Sequence, residues 1–331
     1  MTIIDVQPRR TILLFICMLQ SLFACGELTS SDNELNFSDE SIAASWEDSG
    51  LIARRATSPP GIGRSRISFA FQTYGDQESG FRHDLQGIVE IFRLDNEYLP
   101  VPGSEESYSL RRVSLGRKES NHKHADGTNH VHNDPVVSVY AAEVDFQYGG
   151  VWGAKFIVKD STDLELPPIL LSFLVQNSRL MSSEGSTVPA TIQPIMNEQN
   201  SIESLSSANP ANPEMHQISI RDSLELGKPV IVSFVTPSFC QTKLCGPVLE
   251  EAINPNYDQF NGEVIFIHVE PYDLDRLKSG EGLYLVPAMA EWGLTSEPWV
   301  FVIDTEGKVR VGLEGITDAE ELSLYIGAVL N

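Results

Sequence analysis

A change of pattern near residue 216 most constrains the fold of this 331-residue chain. Before it, short segments rich in β-branched and aromatic residues are separated by Gly, Pro, Asp and Asn turns, which is typical of antiparallel sheets. After it, apolar strands alternate with helical segments, which is the pattern of an α/β layer structure. Since the chain is also longer than one average domain, the sequence predicts a β-sandwich over 61–175 and an α/β domain over 216–331.

The predicted strands and helices follow from this patterning. In the first region the β-sandwich is interpreted as immunoglobulin-like, with strands near 67–71, 87–92, 136–146 and 151–158. In the second region strands are predicted at 229–236, 263–269, 299–304 and 309–313, with helices at 245–260, interrupted at Asn254-Pro255, and at 287–292 and 318–330. Polar composition over 25–60 predicts a solvated tether, and Ser, Asn and Pro residues over 176–215 predict a linker.

Charge and cysteine content exclude several classes of protein. The chain has 23 Lys and Arg residues against 46 Asp and Glu residues, a formal net charge of -23. Such a charge repels phosphate backbones and anionic headgroups, so nucleic acid is not a predicted partner. Cysteines occur only at Cys17, Cys25, Cys240 and Cys245, which is too few for a small disulfide scaffold.

The N-terminus has the pattern of an export signal. Arg9 and Arg10 precede an apolar run over 11–23, which is short for a membrane-spanning helix. The sequence Leu22-Phe23-Ala24-Cys25 then resembles the lipobox of bacterial lipoproteins. That resemblance implies a signal peptide over 1–24, a diacylglycerol group on Cys25, and a lipid anchor on the extracytoplasmic side of a membrane in the cell envelope. A simple secreted protein is the alternative.

The two remaining cysteines carry the predicted chemistry. Cys240 follows a predicted strand and is expected to open a helix, where unpaired amide groups and the helix dipole stabilise a thiolate. Cys245 lies five positions later, within reach of a disulfide if the chain between them leaves a regular helical path. We predict Cys240 as the nucleophile and Cys245 as the resolving thiol, with the reverse order left open.

Residues 216–331 resemble the thioredoxin fold. The resemblance is carried by the strand at 228–234, the turn at Phe239-Cys240, Pro255 within a helix, and the segment 292–299 that enters Pro298. It implies a cis peptide bond before Pro298 and pairing of the Glu297 backbone with an extended peptide. It also implies thiol-disulfide exchange with exported proteins or small thiols, a candidate oxidoreductase activity that requires no cofactor.

The same region departs from thioredoxins in ways that open alternatives. The motif is C-x4-C, and Ser233 stands near the position of the buried acid, so His268 or Glu270 on the neighbouring strand is predicted to transfer protons. A buried strand histidine without a catalytic role is the alternative for His268. The cysteine pair also resembles that of atypical two-cysteine peroxiredoxins, but Pro237 occupies the position of their threonine.

Two further functions compete with thiol exchange. The pair resembles that of Sco-type copper chaperones, which implies copper binding or delivery with His268 as a candidate third ligand. The fold can also serve as a non-catalytic binding module. A purely stabilising disulfide is less favoured, because a bond between cysteines five residues apart closes a very small loop.

Four of the seven histidines form a candidate metal site in the first region. His122, His124, His130 and His132 are symmetric about Gly127. In a hairpin centred there, His124 would face His130 and His122 would face His132, with all four imidazoles on one face for zinc or copper. A polar loop in which they never converge is the alternative. His83 and His216 receive no predicted role.

Overall fold

The computed structural model of the chain describes residues 35–76, 80–116, 120–123, 129–132 and 137–331. The predicted signal peptide over 1–24 and the lipidation candidate Cys25 lie outside these residues. Leu35–Asn331 form one compact unit. Within the described part of the chain, no helix has the length and apolar content needed to cross a membrane.

The segment predicted as a tether is folded from residue 35 onward. Helix α1 (Asp39–Ser49) begins at Ser38, whose side chain accepts a hydrogen bond from the Ser41 amide. Phe37 and Ile42 are buried, and the Trp46 indole donates to the Leu170 carbonyl at 2.9 Å. The tether prediction is therefore wrong for 35–60, because a few apolar residues in a polar segment suffice to dock a short helix on a sheet.

Two four-stranded antiparallel sheets follow and pack face to face around a shared aromatic core. The first sheet has the order β1 (Leu51–Arg55), β2 (Gly63–Thr73), β8 (Val137–Phe146) and β5 (Arg111–Leu115). The second has the order β10 (Ile169–Val175), β9 (Gly150–Lys159), β3 (Gln86–Arg93) and β4 (Glu106–Ser109). Phe71 lies between Tyr140 and Phe156 in edge-to-face contacts, and all three rings are buried. The predicted strands near 67–71, 87–92, 136–146 and 151–158 are confirmed as parts of β2, β3, β8 and β9.

The histidine-rich segment forms a hairpin, but its register differs from the predicted one. Strands β6 (Ser120–Lys123) and β7 (Asn129–His132) pair antiparallel, with His122 opposite His130 and Ser120 opposite His132. His130, and not His132, thus lies opposite His122, so the predicted pairing of His122 with His132 is wrong. His124 lies outside the described residues, as do the side chains of the other three. Metal binding here stays a prediction.

The C-terminal region is built on a mixed four-stranded sheet. Its order is β12 (Ile265–Val269), β11 (Val230–Phe234), β13 (Trp299–Ile303) and β14 (Val309–Glu314). β11 and β12 are parallel, and the other neighbours are antiparallel. All four predicted strands are confirmed. Every residue of β11 and β13 is buried because both faces of the sheet are covered.

Short helices surround this sheet. They are α2 (Ile202–Leu205), a 3-10 turn (Pro213–His216), α3 (Ile220–Leu224), α4 (Cys245–Val248), a π-helical turn (Leu249–Ile253), α5 (Asn254–Phe260), α6 (Leu274–Lys278), α7 (Pro287–Glu291) and α8 (Ala319–Leu330). The run from α4 to α5 is continuous, so the predicted interruption at Asn254-Pro255 is wrong. The chain passes Pro255 without a break because the wider π turn precedes it and Pro255 lies in the first turn of α5.

The predicted linker over 176–215 is packed rather than free. Ser183, Thr191 and Met215 are buried. Along β14, the Gly185 amide donates to the Val309 carbonyl at 2.7 Å, and the Val309 amide donates to the Ser186 carbonyl at 2.9 Å. The polar segment that was predicted as a linker thus provides backbone hydrogen-bond partners for β14, which is an edge strand of its sheet.

The two regions share a hydrophobic core. Val113, Val139 and Ala141 on the outer face of the first sheet belong to the same buried cluster as Leu322 and Ile326 of α8. Arg66 of β2 crosses this interface and is buried. It donates to both carboxylate oxygens of Glu321, at 3.1 and 2.9 Å, and to the carbonyls of Glu314 and Ile316.

We predict that Arg66→Ala destabilises the whole unit. Removing the guanidinium leaves the Glu321 carboxylate buried without its counter-charge, which costs about 3–5 kcal/mol of unfolding free energy. Arg64→Ala on the same strand is the matched control, because its pair with Glu184 is exposed and worth about 0–1 kcal/mol. The measurement is urea denaturation. A loss for Arg66→Ala no larger than that for Arg64→Ala would contradict the prediction.

Candidate dithiol site

The two cysteines meet where the loop after β11 enters α4. Contrary to the prediction, Cys240 does not open the helix, which begins at Cys245. Lys243 adopts a left-handed backbone with φ of 62°, and this interrupts a helical path between the cysteines. The chain therefore turns back, and the Cys245 amide donates to the Cys240 sulfur at 3.2 Å.

The cysteines differ in exposure and in acidity. Both are free thiols; Cys240 is half-buried and Cys245 is fully buried. The pKa of Cys240 is lowered to about 5, first by the hydrogen bond from the Cys245 side chain and then by bonds from Thr242 and the Cys245 amide, against the opposing effect of burial. The pKa of Cys245 is raised, because its proton is held by the Cys240 sulfur and its side chain is buried. At neutral pH the pair thus carries its negative charge on Cys240.

Glu297 is the acidic group beside this pair. It is 6% exposed and precedes Pro298, whose predicted cis peptide bond is confirmed. One carboxylate oxygen accepts from the Gln241 amide at 2.9 Å, and the other accepts from the Tyr272 hydroxyl at 3.1 Å. The two sulfurs and a Glu297 carboxylate oxygen lie within 4.8 Å of one another.

Sequence reasoning missed the Glu297 side chain. It assigned the residue only a backbone role in pairing with a peptide, which stays a prediction. The available signal was an acidic residue between Ser296 and Pro298, directly before the apolar strand at 299–304. An acid in that position is covered on folding and needs buried partners.

The two residues predicted to transfer protons have other partners. His268 is buried, and its Nε2 donates to the Val235 carbonyl at 2.9 Å. One oxygen of Glu270 accepts from the Ser207 amide at 2.5 Å. Among the described residues, the carboxylate that lies within 4.8 Å of both sulfurs is that of Glu297. His268 is correspondingly replaced by Glu297 as the third group of the candidate metal set.

No protein-family model matches the chain, and a search of the curated proteins finds no match. Function is therefore inferred from the chemistry of the site itself.

We predict that alkylation of Cys240 reports its lowered pKa. In the reduced protein, the rate of modification by iodoacetamide should rise as pH increases through about 5 and stay level above it, since the thiolate is the nucleophile. Cys245→Ala removes the largest stabilising hydrogen bond, so the half-point should move to higher pH. The alkylation rate is measured from about pH 4 to about pH 10, a range that includes the ordinary pKa values of carboxyl groups and thiols. A half-point near that of a free thiol in the wild-type protein would contradict the prediction.

Proposed function

We propose that the chain is a thiol-disulfide exchange protein in which Cys240 attacks and Cys245 resolves. The observation that carries this proposal is the contact between a half-buried Cys240 sulfur of lowered pKa and a fully buried, protonated Cys245. An accessible thiolate next to a shielded thiol is the arrangement that exchange through a mixed disulfide requires.

The reaction proceeds in two displacements. The Cys240 thiolate attacks one sulfur of a partner disulfide, forms a mixed disulfide, and releases the other partner sulfur as a thiolate. Cys245 then loses its proton and attacks the Cys240 sulfur, which forms the Cys240–Cys245 bond and releases the second partner thiolate. The partner gains two electrons and the protein is oxidised by two electrons.

Glu297 is proposed to accept the Cys245 proton. Once Cys240 is bound in the mixed disulfide, its sulfur no longer holds that proton, and the Glu297 carboxylate is the ionisable group that lies with both sulfurs. Tyr272 and the Gln241 amide hold the carboxylate in place. A positioned carboxylate of this kind provides general-base catalysis in the resolving step.

The fold and location belong to the same proposal. The order of the mixed sheet and the approach of Glu297-Pro298 to the cysteine loop support a thioredoxin-like fold for 216–331. The facing antiparallel sheets support an immunoglobulin-like sandwich for the first region. The Leu22–Cys25 motif supports a lipid anchor on the extracytoplasmic side of the envelope, where disulfides persist and exported proteins or small thiols serve as partners.

Metal binding is the second candidate function. The two cysteine sulfurs and a carboxylate, with Glu297 in place of the predicted His268, form a candidate three-ligand set. Zinc in catalytic sites takes three protein ligands and leaves one position open, and copper(I) favours the two sulfurs. A bound ion would hold Cys245 as a thiolate and so remove the thiol needed for resolution.

We predict that Cys245→Ser traps a mixed disulfide and Cys240→Ser does not. With dithiobis(nitrobenzoate), the reduced wild-type protein should release both aromatic thiolates and end with its own disulfide. Cys245→Ser should release one and retain the other, since no resolving sulfur remains. Mass spectrometry of the adduct is the measurement, and Ser238→Ala in the same loop is the control. Trapping by Cys240→Ser and not by Cys245→Ser would reverse the assigned order, and no adduct with either variant would overturn the exchange function.

We predict that Glu297→Gln slows resolution without slowing attack. The amide keeps an acceptor for the Gln241 N–H but cannot take the Cys245 proton, so release of the second thiolate should slow by about tenfold or more. Stopped-flow absorbance separates the two release steps. If Glu297 only supports the loop, both steps should change together. If metal binding is the function, the same variant should instead weaken zinc or copper(I) binding by the reduced protein.

A further inference from the structure

A second cavity, apart from the dithiol, lies on the other side of Tyr272. Its volume is about 420 Å³, within the range of small-molecule sites. It lies between the packed segment 191–205, the 3-10 turn Pro213–His216, the end of β12, α6 and α7. The segment that the sequence indicated as a linker therefore forms one of its walls.

The inner wall of the cavity holds two polar side chains with unused hydrogen-bonding atoms. His216 is 3% exposed and Glu270 is 6% exposed. Neither Nε2 of His216 nor Oε2 of Glu270 has a hydrogen-bond partner among the described residues, although the other Glu270 oxygen accepts from the Ser207 amide. Buried polar atoms are normally paired, so these two indicate a ligand. Oε2 of Glu270 accepts hydrogen bonds, and Nε2 of His216 accepts in the tautomer that carries its proton on Nδ1, so a ligand with donor groups fits both.

The charges around the cavity are of one sign. Its lining includes the carboxylates of Glu270, Asp273, Asp275 and Glu291 and contains no Lys or Arg. His216 does not offset them, because burial, and then the nearby His268, lower its pKa to about 3 and keep the imidazole neutral at physiological pH. Leu205 and Val286 contribute apolar surface to the same lining.

We propose that this cavity binds a small organic cation, an alkyl amine or alkyl guanidinium. Its charged head would donate to Oε2 of Glu270 and to the neutral Nε2 of His216, and its hydrocarbon part would pack against the apolar lining. Asp273, Asp275 and Glu291 add a negative field that attracts a cation toward the cavity. A charge-assisted hydrogen bond to a buried carboxylate accounts for the specificity.

The proposal does not depend on the dithiol chemistry. Tyr272 lines the cavity, whereas its hydroxyl donates to Glu297 and accepts from the Gln241 amide side chain at 2.8 Å. The residues that hold the cation are thus distinct from Cys240 and Cys245. A variant with both cysteines changed to serine should bind the amine as the wild-type protein does, whatever the outcome of the exchange assays.

The test is calorimetric titration of the full chain with four matched probes. These are n-butylamine, butylguanidine, n-butanol and butyrate, which share the alkyl chain and differ in head group. The two cations should give saturable heat, and the alcohol and the carboxylate should not. Comparison of the two cations shows which head group fits better.

Variants then locate the site. Glu270→Gln keeps the side-chain shape and an acceptor for the Ser207 amide, and it should weaken cation binding at least about tenfold, the loss of a hydrogen bond to a charged group. His216→Phe should also weaken it while retaining a ring. Glu281→Gln, an exposed acid outside the cavity, is the control and should leave binding unchanged. Thermal unfolding verifies that each variant is folded.

Three results would overturn the proposal. The first is the absence of saturable heat from either cation up to roughly 10 mM, which would mean an affinity too weak for a specific binding site. The two unpaired atoms would then bind only water. The second is equal binding of butylamine and butyrate. The third is an affinity for the cation that is unchanged in a folded Glu270→Gln variant. If that variant does not fold, unchanged affinity in both Glu291→Gln and His216→Phe has the same meaning.

Discussion

The contact of Cys245 with the Cys240 sulfur, made first by the Cys245 side chain and then by its amide, is the one on which the proposed exchange depends. It exists because Lys243 takes a left-handed backbone conformation, which returns the loop to the first residue of the helix. The helix thus stabilises a thiolate that lies five residues before its own first amide. Glu297 holds the loop from the other side by accepting from the Gln241 amide, so the loop geometry and the acidity of Cys240 are fixed by the same few bonds.

The first region supports the dithiol site because its residues pack in the same buried core as the helix that begins at Cys245. Val113 and Val139 on the outer face of its sheet belong to the same buried cluster as α8 and as Cys245 and Val248 of α4, and Arg66 is bound there by Glu321 and by two carbonyls. The Gly116 amide also donates to Glu251 in the turn that follows α4, at 3.0 Å. The first turn of the helix at Cys245 therefore lies in a core to which both regions contribute, which favours a fixed direction for its first amide.

The sequence could predict the strands of both regions, because their apolar patterns are long and regular, and the pairing of Cys240 with Cys245 follows from their spacing. It could not predict contacts that polar segments make with distant elements. Phe37 and Ile42 lie in a segment of tether composition, and Thr191 and Met215 lie in one of linker composition, yet all four are buried. Glu297 and His216 were missed for the same reason: each is a single polar residue whose role arises only when separate parts of the chain meet.

Local hydrogen bonds and charges give the two cysteines different pKa values. The chain has a net charge of -23, which opposes a thiolate at long range, but the Debye length of about 8 Å in physiological salt screens distant charges. The short bonds from Cys245 and Thr242 are not screened in this way, and they lower the pKa of Cys240. The same bond raises the pKa of Cys245, and the nearby Glu297 charge raises it further. In the proposed exchange, the low pKa of Cys240 favours attack, and resolution by Cys245 requires removal of a proton, the step in which Glu297 is proposed to act.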